Sequence, residues 1–187
     1  MSVLEISTPL TAALRRGLKA GQQVLLSGVI YAARDAAHLR FMAALEKGEA
    51  LPIPLKDNLL YYVGPTPTRP GHVIGAAGPT TASRMDRFTP ALLELGLAGT
   101  IGKGFRSQAV IDAMVRHEAV YFGAIGGAGA VLAESIKKHD IIAYDDLGAE
   151  AVRRFEVERM PLIVLIDSQG NNWYETGPAA WRSRKER

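Results

Sequence analysis

Cysteine is absent from the 187-residue sequence. That one absence removes disulfides, a thiolate nucleophile, a redox thiol, a cysteine-based zinc site and any cysteine-held iron–sulfur cluster built from this chain alone. Long apolar runs are missing too: VLLSGVIYAA (24–33) and LIVLI (162–166) fall short of the roughly 20 residues that a membrane-spanning helix needs. The first residues, MSVLEISTPL, hold no basic stretch leading into an apolar core, so the cytoplasm is the expected location and no membrane partner is expected. Basic charge is not concentrated. Lys and Arg exceed Asp and Glu by only +3, with no basic stripe interleaved with aromatics, which argues against a nucleic-acid partner.

Several catalytic signatures are also missing. There is no Gly-x-Ser-x-Gly elbow, no His-Glu-x-x-His and no EF-hand loop,. AGTIGKG places Lys103 after Gly102, but a phosphate-binding loop needs Gly where Leu97 stands and Ser or Thr where Gly104 stands,. In GAIGGAG (123–129) the glycine spacing does not fit the dinucleotide fingerprint,.

What is present is the composition of a globular domain, 48% hydrophobic and 22% charged, enough for one core without staples. The chain reads as one domain, 1–187, with 177–187 as a flexible basic tail. Thr8-Pro9 reads as a helix start, with Leu10, Leu14 and Leu18 at four-residue spacing,. Residues 22–33 read as an apolar strand, followed by a helix capped by Asp35 whose Leu39, Met42 and Leu45 share a face. Residues 49–79 hold most of the ten prolines and predict an irregular β-rich segment, antiparallel or mixed. Next come a helix opened by Thr89-Pro90, a strand GTIGK, a helix SQAVIDAMVRHE with Val110, Ile111, Met114 and Val115 on one face, and a strand AVYFGAIGG,. Over 141–175 the pattern predicts a strand IIAYDDL, a helix AEAVRRFEVE, and a strand from Pro161 closed by a hairpin at SQGN,. The fold class is α/β, a single domain with a partly mixed sheet.

Three cations fall at element ends. Arg34 closes the first long strand, Arg84 lies in GPTTASRMDRFTP (78–90), and Lys103 follows a short strand. Helix N-termini beside them can help to hold an anion, so the three can converge on one dicarboxylate. A second reading pairs Arg34 with Asp35 or Asp86, pairs Arg84 with Asp86 and leaves Lys103 to solvent. His38 reads either as a neighbour of Arg34 or as a partly exposed helix residue. Asp145 and Asp146 read as a strand-end acid pair or a solvated cap. Pattern alone reaches an anion-binding α/β domain.

SGVIYAARDAAHLR (27–40), YYVGPTP (61–67), GPTTASRMDRFTP, IGKG (101–104), AVYFGAIGGAGA (119–130), AYDDLGAEAV (143–152) and PLIVLIDSQGN (161–171) together resemble, in order, the β subunit or C-terminal domain of class I fumarate hydratases and the related L-tartrate dehydratase. The resemblance implies a swivelling β/β/α domain and a hydro-lyase that removes water reversibly from a 2-hydroxy dicarboxylate such as (S)-malate, giving fumarate. It implies a four-iron four-sulfur (4Fe-4S) cluster held by three cysteines of an α subunit, with the open iron as Lewis acid. With no cysteine, this chain would be the β subunit, active only with the α subunit in a hetero-oligomer that can also contain a homodimer of this chain. The resemblance assigns Arg34 and Arg84 to substrate carboxylates, Lys103 to the active site and Thr80 to the base. A threonine needs help to act as a base, and a turn or cap hydroxyl is the competing role for Thr80. Family sequences often read Thr-Thr-Ser-Gly-Arg; Ser83 stands at the glycine, which would alter the loop if that position required a positive φ. Tartrate dehydratase and a non-catalytic dicarboxylate-binding or regulatory module are the alternatives.

Overall fold

The computed structural model describes residues 3–185. β1 (Leu4–Ser7) lies parallel to the first half of β2 (Gln23–Ala32), with Leu4 opposite Val24. Along the same edge of β2, its second half pairs with β3 (Leu59–Tyr61), and β4 (Gly99–Gly102) and β5 (Val120–Gly123) follow, all parallel. β6 (Ile136–Ala143) is antiparallel to β7 (Val152–Ile166), and β7 is also antiparallel to both β5 and β2. The sheet therefore closes on itself through β7, giving the mixed α/β architecture that the sequence predicts.

Period-2 alternation explains why both faces of this sheet are buried. Ile30, Ala32, Leu59, Tyr61, Val63, Val120, Phe122 and Val164 share one apolar cluster. Their neighbours Tyr31, Leu60, Tyr62 and Tyr121 point the other way, into a second cluster with α2 (Asp35–Glu46), α3 (Thr89–Glu94) and α4 (Gln108–Arg116). Each large side chain so buried contributes about 1.5–3 kcal/mol. Tyr61 satisfies its buried hydroxyl by donating to the Ala77 carbonyl at 2.6 Å, which also ties down the proline-rich segment; burial pushes this phenol far above its ordinary range.

Several elements depart from the sequence reading. From Val152 on, the expected helix AEAVRRFEVE is instead the first half of β7: Val152, Phe155 and Val157 are buried and the backbone pairs with β2 on one edge and β6 on the other. Two partner strands outweigh local helix propensity. α1 (Ala12–Gly17) begins after Thr11, whose hydroxyl accepts from Leu14 N at 3.4 Å, rather than at Thr8-Pro9. On α2 the buried stripe is Ala37, His38, Phe41 and Ala44, while Leu39 is 52% exposed; the phase follows Phe41, the largest apolar side chain. Val115 of α4 is likewise exposed, with Val110, Ala113 and Met114 inside. α5 (Gly129–Glu134) precedes β6. The SQGN turn does make an antiparallel bridge, Ile166 with Asn172, but a helix follows it, α6 (Trp173–Lys185). The segment assigned to a tail from 177 is thus helical through Lys185, and residues 186–187 lie outside the described residues.

Candidate functional site

Because β2, β3, β4 and β5 run parallel, their carboxyl ends share one edge, where α/β sheets commonly take ligands. Arg34 follows β2 and Lys103 follows β4. The segment carrying Thr80 threads between them: Pro79 bridges Val63, Thr80 N donates to Tyr62 O at 2.7 Å, and Lys103 N donates to Thr80 O at 3.3 Å. Ala82 N then donates to Lys103 O at 2.9 Å. A 3-10 helix, Ala82–Met85, turns the chain so that Arg84 Nε donates to Asp35 Oδ1 at 2.8 Å. Arg34 Nη2 stands 3.6 Å from Asp35 Oδ2 and 3.3 Å from Glu150 Oε1. The four residues singled out in the sequence therefore lie at one edge, as two linked pairs, Thr80 with Lys103 and Arg34 with Arg84.

The two arginines differ in their surroundings. Arg34 is mostly buried, and Gly64 packs against it: a Cβ there would stand 2.7 Å from its Nη1, so a side chain at 64 would displace the guanidinium. Glu150 does two jobs, pairing with Arg34 and accepting from Ala36 N at 2.9 Å in the first turn of α2, where a carboxylate also meets the helix dipole favourably. Arg84 is half-exposed and, among the described residues, bonds only through Nε. Ser83 sits within the 3-10 helix and is not among the non-glycine residues with positive φ, so its replacement of glycine leaves this turn unstrained. Thr81 is the N-cap of that turn, with no side-chain capping bond, and Thr80 forms no side-chain hydrogen bond among the described residues. The cap role for the Thr80 hydroxyl is therefore unfilled.

Asp86 pairs with neither Arg34 nor Arg84. It belongs to Arg106, a fully buried guanidinium that sequence reasoning missed. Arg106 Nε donates to Asp86 Oδ1 at 2.7 Å, Nη1 to Thr100 Oγ1 at 2.9 Å and Nη2 to Thr89 Oγ1 at 2.7 Å. The Tyr62 and Tyr121 rings flank it, their centroids 5.5 and 5.0 Å from Cζ, a favourable cation–π arrangement. Asp86 Oδ2 also accepts from Ser107 N at 2.6 Å. This network joins the Arg84 turn to the chain leaving Lys103. Its only trace in the sequence is the pair of Asp and Arg at the ends of two loops, a pattern too common to single out. Thr89, read as a cap, is the first residue of α3 after the N-cap Phe88, and its hydroxyl donates to Met85 O at 2.9 Å.

His38 is completely buried, which corrects the partly exposed reading. Its Nδ1 lies 2.8 Å from the Arg34 carbonyl, so that nitrogen carries the proton, and the Phe41, Tyr62 and Phe88 rings surround it. Burial pushes its pKa down to about 4, leaving a neutral ring that supports Arg34 from behind. Asp146 pairs with Arg40 on the surface, which fits the solvated-cap reading. At the other end, Lys103 is exposed and forms no ion pair among the described residues. Gly104 follows it at φ +86°, a conformation that side chains strain to adopt; its N donates to Tyr174 OH at 3.1 Å and its O accepts from Tyr121 OH at 3.0 Å. Beyond Lys103 opens an apolar cavity of about 660 Å³ lined by Ile125, Leu165, Trp173 and Pro178 among others.

By its fold and the chemistry of this edge, the chain is a mixed α/β domain that presents cations and a threonine hydroxyl at the carboxyl ends of a parallel ladder. A family model described as "Fumarase C-terminus" matches residues 2–177, and the chain belongs to that family. It is 42% identical over 152 residues to "Fumarate hydratase class I, aerobic" of Escherichia coli, covering 80% of this chain and 28% of the relative. Similarity to "Fumarate hydratase 2" of Leishmania major is 41% over 156 residues, 82% of this chain and 28% of the relative. The chain thus spans little more than a quarter of these hydratases. A relative of matching length is "Putative L(+)-tartrate dehydratase subunit beta" of Methanocaldococcus jannaschii, 38% identical over 164 residues and 84% of each chain. The residues present do not fit a metal or cluster: there is no cysteine, and no group of three or more His, Cys, Asp or Glu is so placed among the described residues.

Proposed function

We propose that this chain is the β-subunit part of a hydro-lyase that reversibly dehydrates a 2-hydroxy dicarboxylate, (S)-malate to fumarate and water. The observation that carries this reading is Arg84, half-exposed, engaged among the described residues only through Nε and set one turn from the Thr80–Lys103 ladder. In the forward direction a proton leaves C3, the C2 hydroxyl departs as water after gaining a proton, and the C2–C3 double bond forms. Negative charge builds on the carboxylate next to C3. The terminal amino groups of Arg84 can take that carboxylate in a forked pair, with Arg34 behind it, and charge-directed donors of this kind lower the barrier most. Thr80, which forms no side-chain hydrogen bond among the described residues, would act as its alkoxide: its own proton passes first to the departing C2 hydroxyl, the Lys103 ammonium at the same end of the site offsets the alkoxide charge, and the C3 proton then restores the neutral hydroxyl,.

A 4Fe-4S cluster would be held by an α-subunit-type partner, since this chain offers it no ligand. The two-chain arrangement draws support from the similarity to the tartrate dehydratase subunit, in which 84% of each chain is matched. The same similarity favours L-tartrate as the second substrate reading.

The test is anaerobic co-expression with an α-type chain bearing three candidate cluster cysteines, followed by assays on (S)-malate, fumarate and L-tartrate. Arg84→Ala is expected to lower kcat/KM by about 10²-fold or more, and Thr80→Val to lower kcat by about 10²–10⁴-fold. Unchanged turnover and affinity in Arg84→Ala would overturn the carboxylate role. Turnover of tartrate alone would move the substrate, and dicarboxylate binding without turnover in the assembled complex would make the chain a binding module.

A further inference from the structure

Asp35 is the acid that the two arginines share; the sequence offers it as a helix cap or as a partner of Arg34, and does not link it to Arg84. It is the first residue of α2, which fixes its backbone and favours its charge,. One oxygen accepts from Arg84 Nε at 2.8 Å, and the other is buried, without a hydrogen bond, 3.6 Å from Arg34 Nη2. Two opposite roles are open to such an acid. It can compete with the substrate carboxylate for the guanidinium, or it can set the guanidinium plane.

The geometry points to the second: we propose that Asp35 is a positioning residue that holds Arg84 by Nε, leaving both terminal amino groups for a substrate carboxylate. This rests on the hydro-lyase reading above. A competitor would take the terminal amino groups, which offer the two-pronged face that carboxylates prefer; Asp35 takes the inner nitrogen. Arg84 springs from a four-residue turn, and about half of its side chain is exposed. Immobilising so long a side chain opposes binding, and the Asp35 pair does this before substrate arrives. Charge points the same way. Asp35 and Glu150 balance Arg34 and Arg84, so this end of the site attracts a carboxylate through directed hydrogen bonds rather than net charge.

Steady-state kinetics of the complex with its α-type partner test the proposal, using Asp35→Ala, Asp35→Asn, Arg84→Ala and the Asp35→Ala/Arg84→Ala double variant. Asp35→Ala is expected to raise KM for the hydroxy dicarboxylate by about 10-fold, the loss typical of one charge-assisted hydrogen bond. Asp35→Asn, which keeps an acceptor for Nε, should recover most of that loss. In the Arg84→Ala background the Asp35→Ala change should add nothing, because coupled residues are not additive. A merely structural Asp35 would lower thermal stability and the active fraction while leaving KM alone, and that result overturns the proposal. A fall in KM for Asp35→Ala overturns it in favour of competition. If wild-type complex turns over no hydroxy dicarboxylate, or Arg84→Ala is silent, the underlying reading fails and the inference with it. Should Arg84→Ala act while both Asp35 variants match wild type, only the inference fails.

Discussion

The two ends of the candidate site hold their cations in different ways. At one end Arg34 and Arg84 are ringed by Asp35 and Glu150, with the neutral His38 behind them. At the other, Lys103 has no acid partner among the described residues, borders an apolar cavity, and is placed by backbone bonds through Thr80, Ala82 and Gly104. A guanidinium is planar and useful only when its plane is set, which neighbouring acids can do. An ammonium is a point charge, so fixing its stem suffices, and an uncompensated charge near an apolar wall acts more strongly on a developing anion. Arg106 connects the two ends, since Asp86 belongs to the Arg84 turn and Thr100 to the strand that delivers Lys103.

The largest effect should come from cutting that connection. Arg106→Met leaves Asp86 buried without its partner, and removing one member of a buried ion pair costs about 3–5 kcal/mol. Chemical denaturation should show the loss, and Asp86→Asn combined with Arg106→Met should restore part of it. Lys103→Met keeps the stem and removes only the charge; if the lysine end acts on developing charge, kcat should fall by about 10²-fold, near 2.7 kcal/mol, with KM changed much less. A change confined to KM would make both ends simple binding groups and dissolve the contrast.

A similar magnitude is expected from His38 at low pH. Its folded pKa of about 4 lies below the ordinary 6.5, so the unfolded chain binds the proton more readily throughout that window. The stabilisation is complete above pH 6.5, falls as pH drops and levels off below 4, about 3 kcal/mol lower. Denaturation of His38→Phe between pH 4 and 7 should lack this component of the slope. Asp35 favours the charged ring while Arg106 opposes it, so Asp35→Asn should lower the His38 pKa further, as read by NMR titration. The smallest effect should be at Asp146, whose pair with Arg40 is on the surface: Asp146→Ala should match wild type in melting temperature and turnover.

Much of this was legible in the sequence, and the limits are specific. The apolar runs at 22–33 and 119–123 read as strands and are strands, and the order of motifs pointed to the family. The ends of β2 and β4 placed Arg34 and Lys103. AVRRFEVE misled because its alternation is broken by Arg153 and Arg154, and it is held extended by pairing with β6 just before it and with β2, far away in sequence. The pairing of Arg84 with Asp35, 49 residues away, and of Arg106 with Asp86 depends on loops crossing in space. Local pattern carries no record of such crossings.

The double pairing of β7 has a further consequence. Gln23 to Ala32 of β2 face β7 along nearly their whole length, while the opposite edge of β2 is taken by β1 and β3. The amides at this seam are therefore released only when the whole sheet comes apart, making β2 and β7 the slowest-exchanging unit of the molecule. The turns bearing Arg84 and Lys103 lie at the ends of the neighbouring parallel strands, so the seam fixes the points from which they start.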